Sequence, residues 1–310
     1  MTKEEKYLAR IILKNKFYEA DKQSFEDLFS KIMRNDNSDF RQPKPHGRLG
    51  DGKCDGFNEQ TGEYYQVYAP EELKGNELEL LNKMNSSIEG LLEFWNERNF
   101  VVKKFYYVVK DNYKEVYPLV FTNAKAISKK RDIDCEILMC KDIEDIFMKL
   151  DENLMIDVLG GMIPNPDNIS TIDFNSMDDV VNFLKERKVI KINEIIPANP
   201  NFDEKIVFNN LSEIISQFLN NGQRQNFAIN DFFQLNSKFI KEDLREIFNS
   251  LYNEAIGIIP ESETKNDEIY QYIVEKSSPN GKQATYDAVY VLMAYYFEYC
   301  DIFETPNSIL

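Results

Sequence analysis

The chain has 310 residues, of which 43% are hydrophobic and 13% aromatic, so it is long enough to bury the cores of about two domains. Its longest apolar run, 288-AVYVLMAYYF-297, is shorter than the roughly 20 residues that a bilayer span requires. Residues 1–17 mix charges into an amphipathic pattern and lack the continuous apolar centre of a signal peptide. These features predict a cytoplasmic protein without a membrane segment.

The single histidine and the four cysteines exclude several kinds of active site. His46 stands alone, whereas zinc hydrolases and Ser-His or Cys-His hydrolases need histidine as a ligand or a base. Cys54, Cys135, Cys140 and Cys300 form no CxxC pair, which argues against a zinc module and a disulfide scaffold. Chemistry in this chain is therefore expected to depend on carboxylates, lysine and a hard metal ion.

The net charge of -16 is unevenly distributed. Residues 1–150 contain 25 basic and 27 acidic side chains, whereas residues 151–310 contain 12 and 26. The first half carries clusters such as Lys103-Lys104 and Lys129-Lys130-Arg131 that can lie against a phosphate backbone, which would repel the second half. The acidic half is therefore predicted to bind a protein partner. The alternative is that the asymmetry serves solubility alone.

The hydrophobic pattern of the first 150 residues alternates between helix and strand. Apolar residues spaced by three and four predict helices, and short β-rich runs bounded by turn residues predict strands. In chain order the prediction is helices over 3–17 and 23–35, a hairpin of strands 54–57 and 63–69, a helix from Leu78 to Trp95, a strand over 102–110, a helix over 115–130, a strand over 134–140 and a helix over 141–150. Strands separated by helices are expected to pair in parallel, so the first half is predicted to be an α/β domain with a mixed sheet flanked by helices.

A segment with Gly-Gly and Pro-Asn-Pro, residues 151–175, is predicted to be a linker. The pattern after it is mainly helical, with helices near 176–188, 203–220, 229–256, 264–277 and 282–303 and a brief extended piece near 189–196. Val207 belongs to an apolar stripe of the helix at 203–220. The predicted domains are thus an α/β domain at 1–150 and an acidic, helical, partner-binding domain at 176–310.

The predicted hairpin collects the residues suited to chemistry on a phosphodiester. Such chemistry needs a divalent metal whose oxygen ligands converge from a fixed backbone. Residues two apart on a strand face the same side, so Gln66 and Tyr68 are expected to point together, with Asp55 facing them across the hairpin. Glu63, three residues before Gln66, faces the other way in an unbroken strand.

This order of elements and residues resembles the PD-(D/E)xK restriction-endonuclease-like superfamily, especially its Mrr-like members. There an Asp-Gly after a Gly/Asp-rich turn is followed by a strand carrying Gln or Glu, any residue, then Lys. The resemblance covers about residues 3–150 and implies a restriction-endonuclease-like fold, with Asp55 and Gln66 binding Mg²⁺ or Mn²⁺. Tyr68 stands where the superfamily has lysine. A neutral phenol can only orient the attacking water, whereas lysine stabilises negative charge, so this departure puts catalysis in question.

Three further residues are candidates for the same site. Lys53 shares the face of Asp55 if the strand begins early and can then replace the missing lysine; the alternative is a solvated lysine in a glycine turn. Asp51 is either a third metal ligand or the turn former favoured beside glycine. Glu26, on the second helix, is a candidate to complete a metal shell, with a solvated helix-surface acid as the alternative. His46 is interpreted as a loop residue without a catalytic role.

Longer stretches resemble a more specific family. The segments 50-GDGKCDG-56, 65-YQVYAPE-71 and 293-MAYYFEYCDIFETP-306 are similar to proteins of prokaryotic ABC-three-component systems, which are related to Lamassu-type defence. This resemblance covers nearly the whole chain. It implies defence against phage or plasmids, with an SMC/Rad50-like ABC ATPase and a small middle component as partners. DNA is the implied target, and homo-oligomerisation on activation is compatible with it.

Three interpretations are open at this point. In the first, the chain is a Mg²⁺-dependent DNA endonuclease in which Asp55 and Gln66 bind metal and Lys53 or Tyr68 positions water. In the second, the fold has lost its lysine and grips DNA or a partner protein. In the third, the tyrosines only pack and Asp55 only ties the turn. Convergence of Asp55, Gln66 and Lys53 around open space favours the first, whereas Tyr68 filling that space favours the second.

Overall fold

The computed structural model describes residues 1–44, 52–70, 77–187, 201–236, 239–299 and 301–306. The chain divides into two compact units. The α/β unit comprises residues 16–160, and the helical unit comprises residues 1–15 together with residues 161–310. In the described part of the chain, no helix is long and apolar enough to cross a membrane.

The first ten elements alternate helices with the strands of one sheet. They are α1 (Lys3–Glu19), α2 (Lys22–Asp36), β1 (Gly56–Asn58), β2 (Glu63–Tyr68), α3 (Glu77–Asn96), β3 (Lys104–Val109), α4 (Pro118–Arg131), β4 (Asp134–Met139), α5 (Cys140–Phe147) and α6 (Glu152–Leu159). The sheet order is β1-β2-β3-β4, with β1 antiparallel to β2 and the other two pairs parallel. The predicted mixed α/β sheet is therefore confirmed, and α3 and α4 are the crossovers that parallel pairing requires.

The two faces of the sheet pack against different helices. The Tyr64 ring lies 5.0 Å from the Trp95 ring of α3, measured between centroids, whereas Tyr65 lies 5.8 Å from Phe29 of α2. Successive side chains of a strand point to opposite faces, so Gln66 and Tyr68 share the face of Tyr64. The hairpin is thus covered by α3 on the face that carries the candidate site, as the sequence predicts.

The helical unit is built around a C-terminal helix that is buried along nearly its whole length. Its elements after residue 161 are α7 (Phe174–Lys185), α8 (Phe202–Phe208), α9 (Glu213–Gln223), α10 (Asn226–Leu235), α11 (Ile240–Ile258), α12 (Lys265–Ser277) and α13 (Gln283–Glu298). Both α7 and α9 pack against α13. Gly222 of α9 makes the closest approach, since a Cβ at this position would lie 2.6 Å from the backbone oxygen of Tyr290.

Two predicted helices are wrong in extent, because each one is interrupted. The helix predicted over 203–220 is two helices, α8 and α9, separated at Asn209 and Asn210, and Asn210 has a left-handed backbone with φ of 48°. The helix predicted over 229–256 is likewise two, α10 and α11. The predicted extended piece near 189–196 lies outside the described residues.

Two apolar residues that belong to the predicted helical stripes are exposed. Leu78 of α3 is 75% exposed, and Val207 of α8 is 78% exposed. The packed face of α3 instead includes Leu80, because Leu80, Met84 and Ile88 repeat at a spacing of four. Val207 turns outward because the stripe that the sequence suggested is broken where α8 ends at Phe208.

The first helix contributes its N-terminal part to the helical unit. Tyr7 donates a hydrogen bond of 2.5 Å to the carboxylate of Asp267, and Lys14 forms a 2.9 Å ion pair with the buried Glu268. These partners are 260 and 254 residues away in sequence. The predicted first domain begins at residue 1, whereas the division by contacts groups residues 1–15 with the helical unit; the segment predicted as a linker contains α6.

Candidate functional site

Asp55 lies at the entrance of the hairpin and is held there by its backbone. Its N–H donates a hydrogen bond of 2.8 Å to the carbonyl of Tyr65, which ties it to β2. The next residue is Gly56, and a Cβ at that position would come within 2.2 Å of the Phe40 ring. The glycine of the Asp-Gly pair is therefore required by a close aromatic contact, and Asp55 itself is buried, with 7% exposure.

The structure brings Asp55 and Gln66 together. One carboxylate oxygen of Asp55, Oδ2, accepts a hydrogen bond of 2.5 Å from the Gln66 side-chain amide and one of 2.6 Å from the backbone N–H of Val67. Two donors on one oxygen stabilise the ionised carboxylate at this position. The carboxylate therefore holds the two strands of the hairpin in register at the site.

Tyr68 is part of the hydrophobic core, although it stands at the position where lysine is expected. Its side chain is 8% exposed, and its ring stacks on the Tyr107 ring of β3 at a centroid distance of 5.9 Å and an angle of 16°. Burial raises the pKa of the Tyr68 hydroxyl, so the group is neutral and cannot act as a general base near neutrality. Burial also raises the pKa of Tyr107, and the nearby carboxylate of Asp55 adds to that rise.

A lysine that the sequence analysis did not single out lies over Tyr68. The Lys83 ammonium of α3 is 5.0 Å from the Tyr68 ring centroid and forms a 2.8 Å ion pair with Glu79. Lys83 is adjacent to the buried Met84, at the edge of the packed face of α3. The helical spacing of α3 puts Lys83 at the edge of its packed face. The sequence does not show that this edge lies over Tyr68, because the packing of α3 on β2 is a tertiary contact.

The other predicted site residues are placed differently. The aliphatic stem of Lys53 runs over Gly90 of α3, where a Cβ would lie 3.6 Å from Lys53 Cγ, and its backbone is left-handed, with φ of 63°. Glu26 belongs to α2, which covers the opposite face, and accepts a hydrogen bond of 3.3 Å from Gln42. Asp51 and His46 lie outside the described residues.

The side chains at the hairpin fit a divalent cation only in part. Among the residues that the structure describes, no group of three or more His, Cys, Asp or Glu side chains could hold a metal ion. Gln66 directs its amide nitrogen toward Asp55, whereas a metal ion would require the amide oxygen there. Binding of Mg²⁺ by this pair would therefore require the Gln66 amide to turn over.

Three of the four cysteines are buried free thiols. Cys54, Cys135 and Cys140 are all buried. Burial raises the pKa of Cys135 to about 12 and that of Cys140 still further. Such thiols are protonated and unreactive near neutral pH. Cys300 lies outside the described residues.

The chain thus belongs to the class of proteins in which a mixed α/β unit is followed by an acidic helical unit. Residues 175–304, less than half of the chain, match the family model described as C-terminal domain 10 of the ABC-three component (ABC-3C) systems. The match begins within α7 and ends after α13, so it falls in the helical unit, and it supports membership of the chain in an ABC-three-component system. A search of curated proteins and a search of solved structures each gave no match.

Proposed function

We propose that this chain is a subunit of an ABC-three-component defence complex and that its α/β unit recognises DNA. The observation that carries membership of the complex is the match of residues 175–304 to a C-terminal domain of these systems. In this proposal the helical unit binds the other components, an SMC/Rad50-like ABC ATPase and a small middle component. The α/β unit then supplies the contact with foreign DNA.

The layout of the sheet supports a restriction-endonuclease-like unit. An antiparallel hairpin, β1-β2, leads through a helix into two parallel strands, and Arg41 adds an antiparallel bridge to Phe57 on the outer side of β1. This is the order of elements on which the sequence resemblance rests. In the sequence resemblance Asp55 and Gln66 stand at the superfamily's metal-ligand positions, and their side chains are hydrogen-bonded to each other.

A recognition role is favoured over cleavage by the surroundings of Tyr68. The ring fills the space on the hairpin face and stacks on Tyr107, so it cannot be exchanged for a mobile ammonium without opening the core. Asp55 at the same time directs one oxygen to two protein donors. Both observations fit a hairpin that is retained for its shape.

The exposed basic side chains at the amino end of β3 and the carboxyl end of α4 are the proposed phosphate contacts. Lys103, Lys129 and Lys130 are exposed, and the carbonyl of Lys103 accepts a hydrogen bond of 2.9 Å from Asp134, which brings β3 beside the α4–β4 turn. Arg131 nearby is paired with Glu89 at 2.8 Å. The three lysines therefore provide positive charge on one edge of the α/β unit.

The test is binding of a labelled duplex to the full chain, alone and with its two partner components. We expect Lys129→Ala/Lys130→Ala to weaken binding and to reduce the slope of log affinity against log salt by about 0.9 for each lost phosphate contact. Lys22→Ala, an exposed lysine of α2, is the matched control and should change neither value. Equal binding by the double variant and the control would contradict the proposed surface, and absence of a complex with either component would contradict the proposed assembly.

A second candidate function, DNA cleavage, is favoured by the ammonium of Lys83. This lysine lies over the ring of Tyr68, so α3 supplies a positive charge next to the position that lacks lysine in the sequence. Bound Mg²⁺ or Mn²⁺ would supply an activated water and neutralise developing charge. Asp55 and the turned Gln66 amide would hold the ion, and Lys83 would stabilise the phosphate.

Cleavage is tested with supercoiled plasmid and the assembled complex in Mg²⁺ or Mn²⁺. If this second function holds, Asp55→Asn and Lys83→Ala each abolish nicking, while Lys53→Ala retains it. Nicking that persists in Asp55→Asn would show that the hairpin does not take part in cleavage. Plasmid that stays intact under all of these conditions, with DNA still bound, supports the recognition role.

A further inference from the structure

Two large apolar side chains of α10 face outward. Phe227 and Leu235 are 66% and 75% exposed, and they lie eight residues apart with the exposed Asp231 midway between them. Positions i, i+4 and i+8 share one face of a helix, and the buried residues Ala228, Ile229 and Phe232 occupy the other. The outward face of α10 therefore carries Phe227 and Leu235 at its two ends, with the polar side chains of Asn230, Asp231 and Gln234 between them.

Two further large side chains, at the ends of neighbouring helices, are exposed. Phe239, just before α11, is 74% exposed, and Tyr299, just after α13, is 38% exposed. We name Phe227, Leu235, Phe239 and Tyr299 the aromatic patch. Exposed apolar groups that lie together on a protein surface mark interaction sites more often than scattered ones do.

Contacts bring the N-terminal ends of α10 and α11, which carry Phe227 and follow Phe239, beside the C-terminal end of α13 and Tyr299. Asn226, the neighbour of Phe227, donates a hydrogen bond to the carboxylate of Glu298, the neighbour of Tyr299. Lys241 of α11 lies 4.9 Å from the Tyr299 ring centroid, and its carbonyl accepts a hydrogen bond of 2.9 Å from Tyr296. The ends of α10, α11 and α13 thus converge on one region of the surface.

The charge around the aromatic patch defines the kind of partner that fits it. Asp231 lies between Phe227 and Leu235 on the outward face of α10, and the exposed Glu242 lies beside Lys241. The helical unit as a whole contains 16 basic and 25 acidic side chains, counted over residues 1–15 and 161–310. A partner surface with apolar residues flanked by lysine or arginine complements this region, whereas a second copy of the same acidic unit would be repelled.

We propose that the aromatic patch is the docking surface for an amphipathic helix of another subunit, whose apolar stripe packs on Phe227 and Leu235 and whose basic residue pairs with Asp231. The distance from Phe227 to Leu235 along α10 is about 12 Å, which corresponds to roughly two turns of a partner helix. This inference rests on the proposed function, because the partner is the ABC ATPase or the middle component of the same complex.

The experiment measures the affinity of the tagged full chain for the co-expressed ABC ATPase and middle component. Phe227→Ser/Leu235→Ser should weaken that affinity by about tenfold or more, as expected for loss of central apolar contacts, with an unchanged melting temperature because both side chains are exposed. Val207→Ser, which alters a 78% exposed side chain of the same unit, is the matched control and should bind as the wild type does. Asp231→Lys should weaken binding more than Asp231→Asn, and the difference should shrink at high salt.

The possible results separate this inference from the proposed function. Wild type and Phe227→Ser/Leu235→Ser that bind equally well would overturn the docking surface and leave the assembly intact. Wild type that binds neither component would overturn both proposals. A wild-type dimer in light scattering that becomes monomeric in Phe227→Ser/Leu235→Ser would show that a second copy covers the patch, which also contradicts the inference.

Discussion

The side-chain amide of Gln66 donates a hydrogen bond of 2.5 Å to the carboxylate of Asp55, across the hairpin that joins β1 to β2. The same carboxylate oxygen accepts the backbone N–H of Val67 at 2.6 Å. Asp55 is 7% exposed, so these bonds compensate for much of the cost of burying its charge. The pair that resembles a metal site in sequence thus also stabilises the hairpin through hydrogen bonds.

Gln66→Glu replaces the amide that donates to Asp55 with a second carboxylate. We expect the free energy of unfolding to fall by about 1–3 kcal/mol at pH 8, because two carboxylates then face each other without a proton between them. The pKa of one carboxyl should rise in the folded state, so the loss should be small at low pH and grow as the pH rises through that value.

Urea unfolding at pH 5 and pH 8 checks this prediction. Gln60→Glu, in the exposed turn of the same hairpin, is the control and should show little loss at either pH. Mn²⁺ that restores the stability of Gln66→Glu at pH 8 would indicate that the two carboxylates can hold a divalent ion. A loss of equal size at both pH values would contradict the described geometry.

Tyr68→Lys restores the residue that the superfamily has at this position. We expect it to destabilise the α/β unit by several kcal/mol, since the new ammonium would be buried against Tyr107 and close to Lys83. Tyr68→Phe keeps the ring and should cost less than about 1 kcal/mol. Thermal unfolding of both variants is the measurement. A stable Tyr68→Lys protein would mean that the face of the hairpin is open rather than filled.

The hairpin, the order of the strands along the chain and the approach of Asp55 to Gln66 could be predicted from local sequence, because turn residues and strand alternation are local signals. The position of Lys83 over Tyr68 could not, because it depends on how α3 packs on β2. The stem of Lys53 follows α3 for a related reason: its left-handed backbone directs it away from the regular strand that the prediction assumed.

Gly222→Ala tests the close packing of α9 on α13. A Cβ at this position would lie 2.6 Å from the carbonyl oxygen of Tyr290 and 2.8 Å from Ala294 Cβ, so the two helices would have to separate. We expect a loss of about 1–3 kcal/mol in the free energy of unfolding, as found for overpacked cores. Gly257→Ala in α11 is the matched control, since its Cβ would meet no atom within 4 Å, and it should stabilise the helix by up to about 1 kcal/mol.

Denaturant titration of both alanine variants gives the comparison. If Gly222→Ala and Gly257→Ala shift stability in the same direction, the close contact between α9 and α13 is not present.

Tyr7→Phe tests the attachment of α1 within the helical unit. Tyr7 donates to Asp267, which is 3% exposed, and burial raises the pKa of that carboxyl above its ordinary value. Loss of the donor should raise this pKa further and lower the free energy of unfolding by about 1–3 kcal/mol at pH 8. A carboxyl with a raised folded-state pKa stabilises the fold least at high pH, so the loss should be smaller at pH 5.

Unfolding of Tyr7→Phe at the two pH values is compared with that of Tyr7→Phe/Asp267→Asn. The double variant lacks the titrating carboxyl of Asp267. The extra loss of stability at pH 8 that is expected for Tyr7→Phe should therefore be absent from it. A pH dependence that persists unchanged in the double variant would assign the effect to other carboxyls.

In the helical unit, the ends of helices could be predicted from the sequence, whereas long-range contacts could not. The break between α8 and α9 had a local signal, since Asn209 and Asn210 are favoured at helix C-termini and Ser212 is favoured at helix N-termini. The placement of residues 1–15 had none, because it depends on Tyr7 and Lys14 meeting acids more than 250 residues away. Long-range pairs of this kind leave no periodicity in the sequence.

The central claim, that the α/β unit recognises DNA without cutting it, is tested most directly by the integrity of a supercoiled plasmid bound to the complex reconstituted from the full chain, the ABC ATPase and the middle component. In Mg²⁺ or Mn²⁺ the account predicts a plasmid that is retarded by the complex and recovered supercoiled after removal of protein. Metal-dependent linear or nicked plasmid with the wild type, absent with Asp55→Asn, would contradict it.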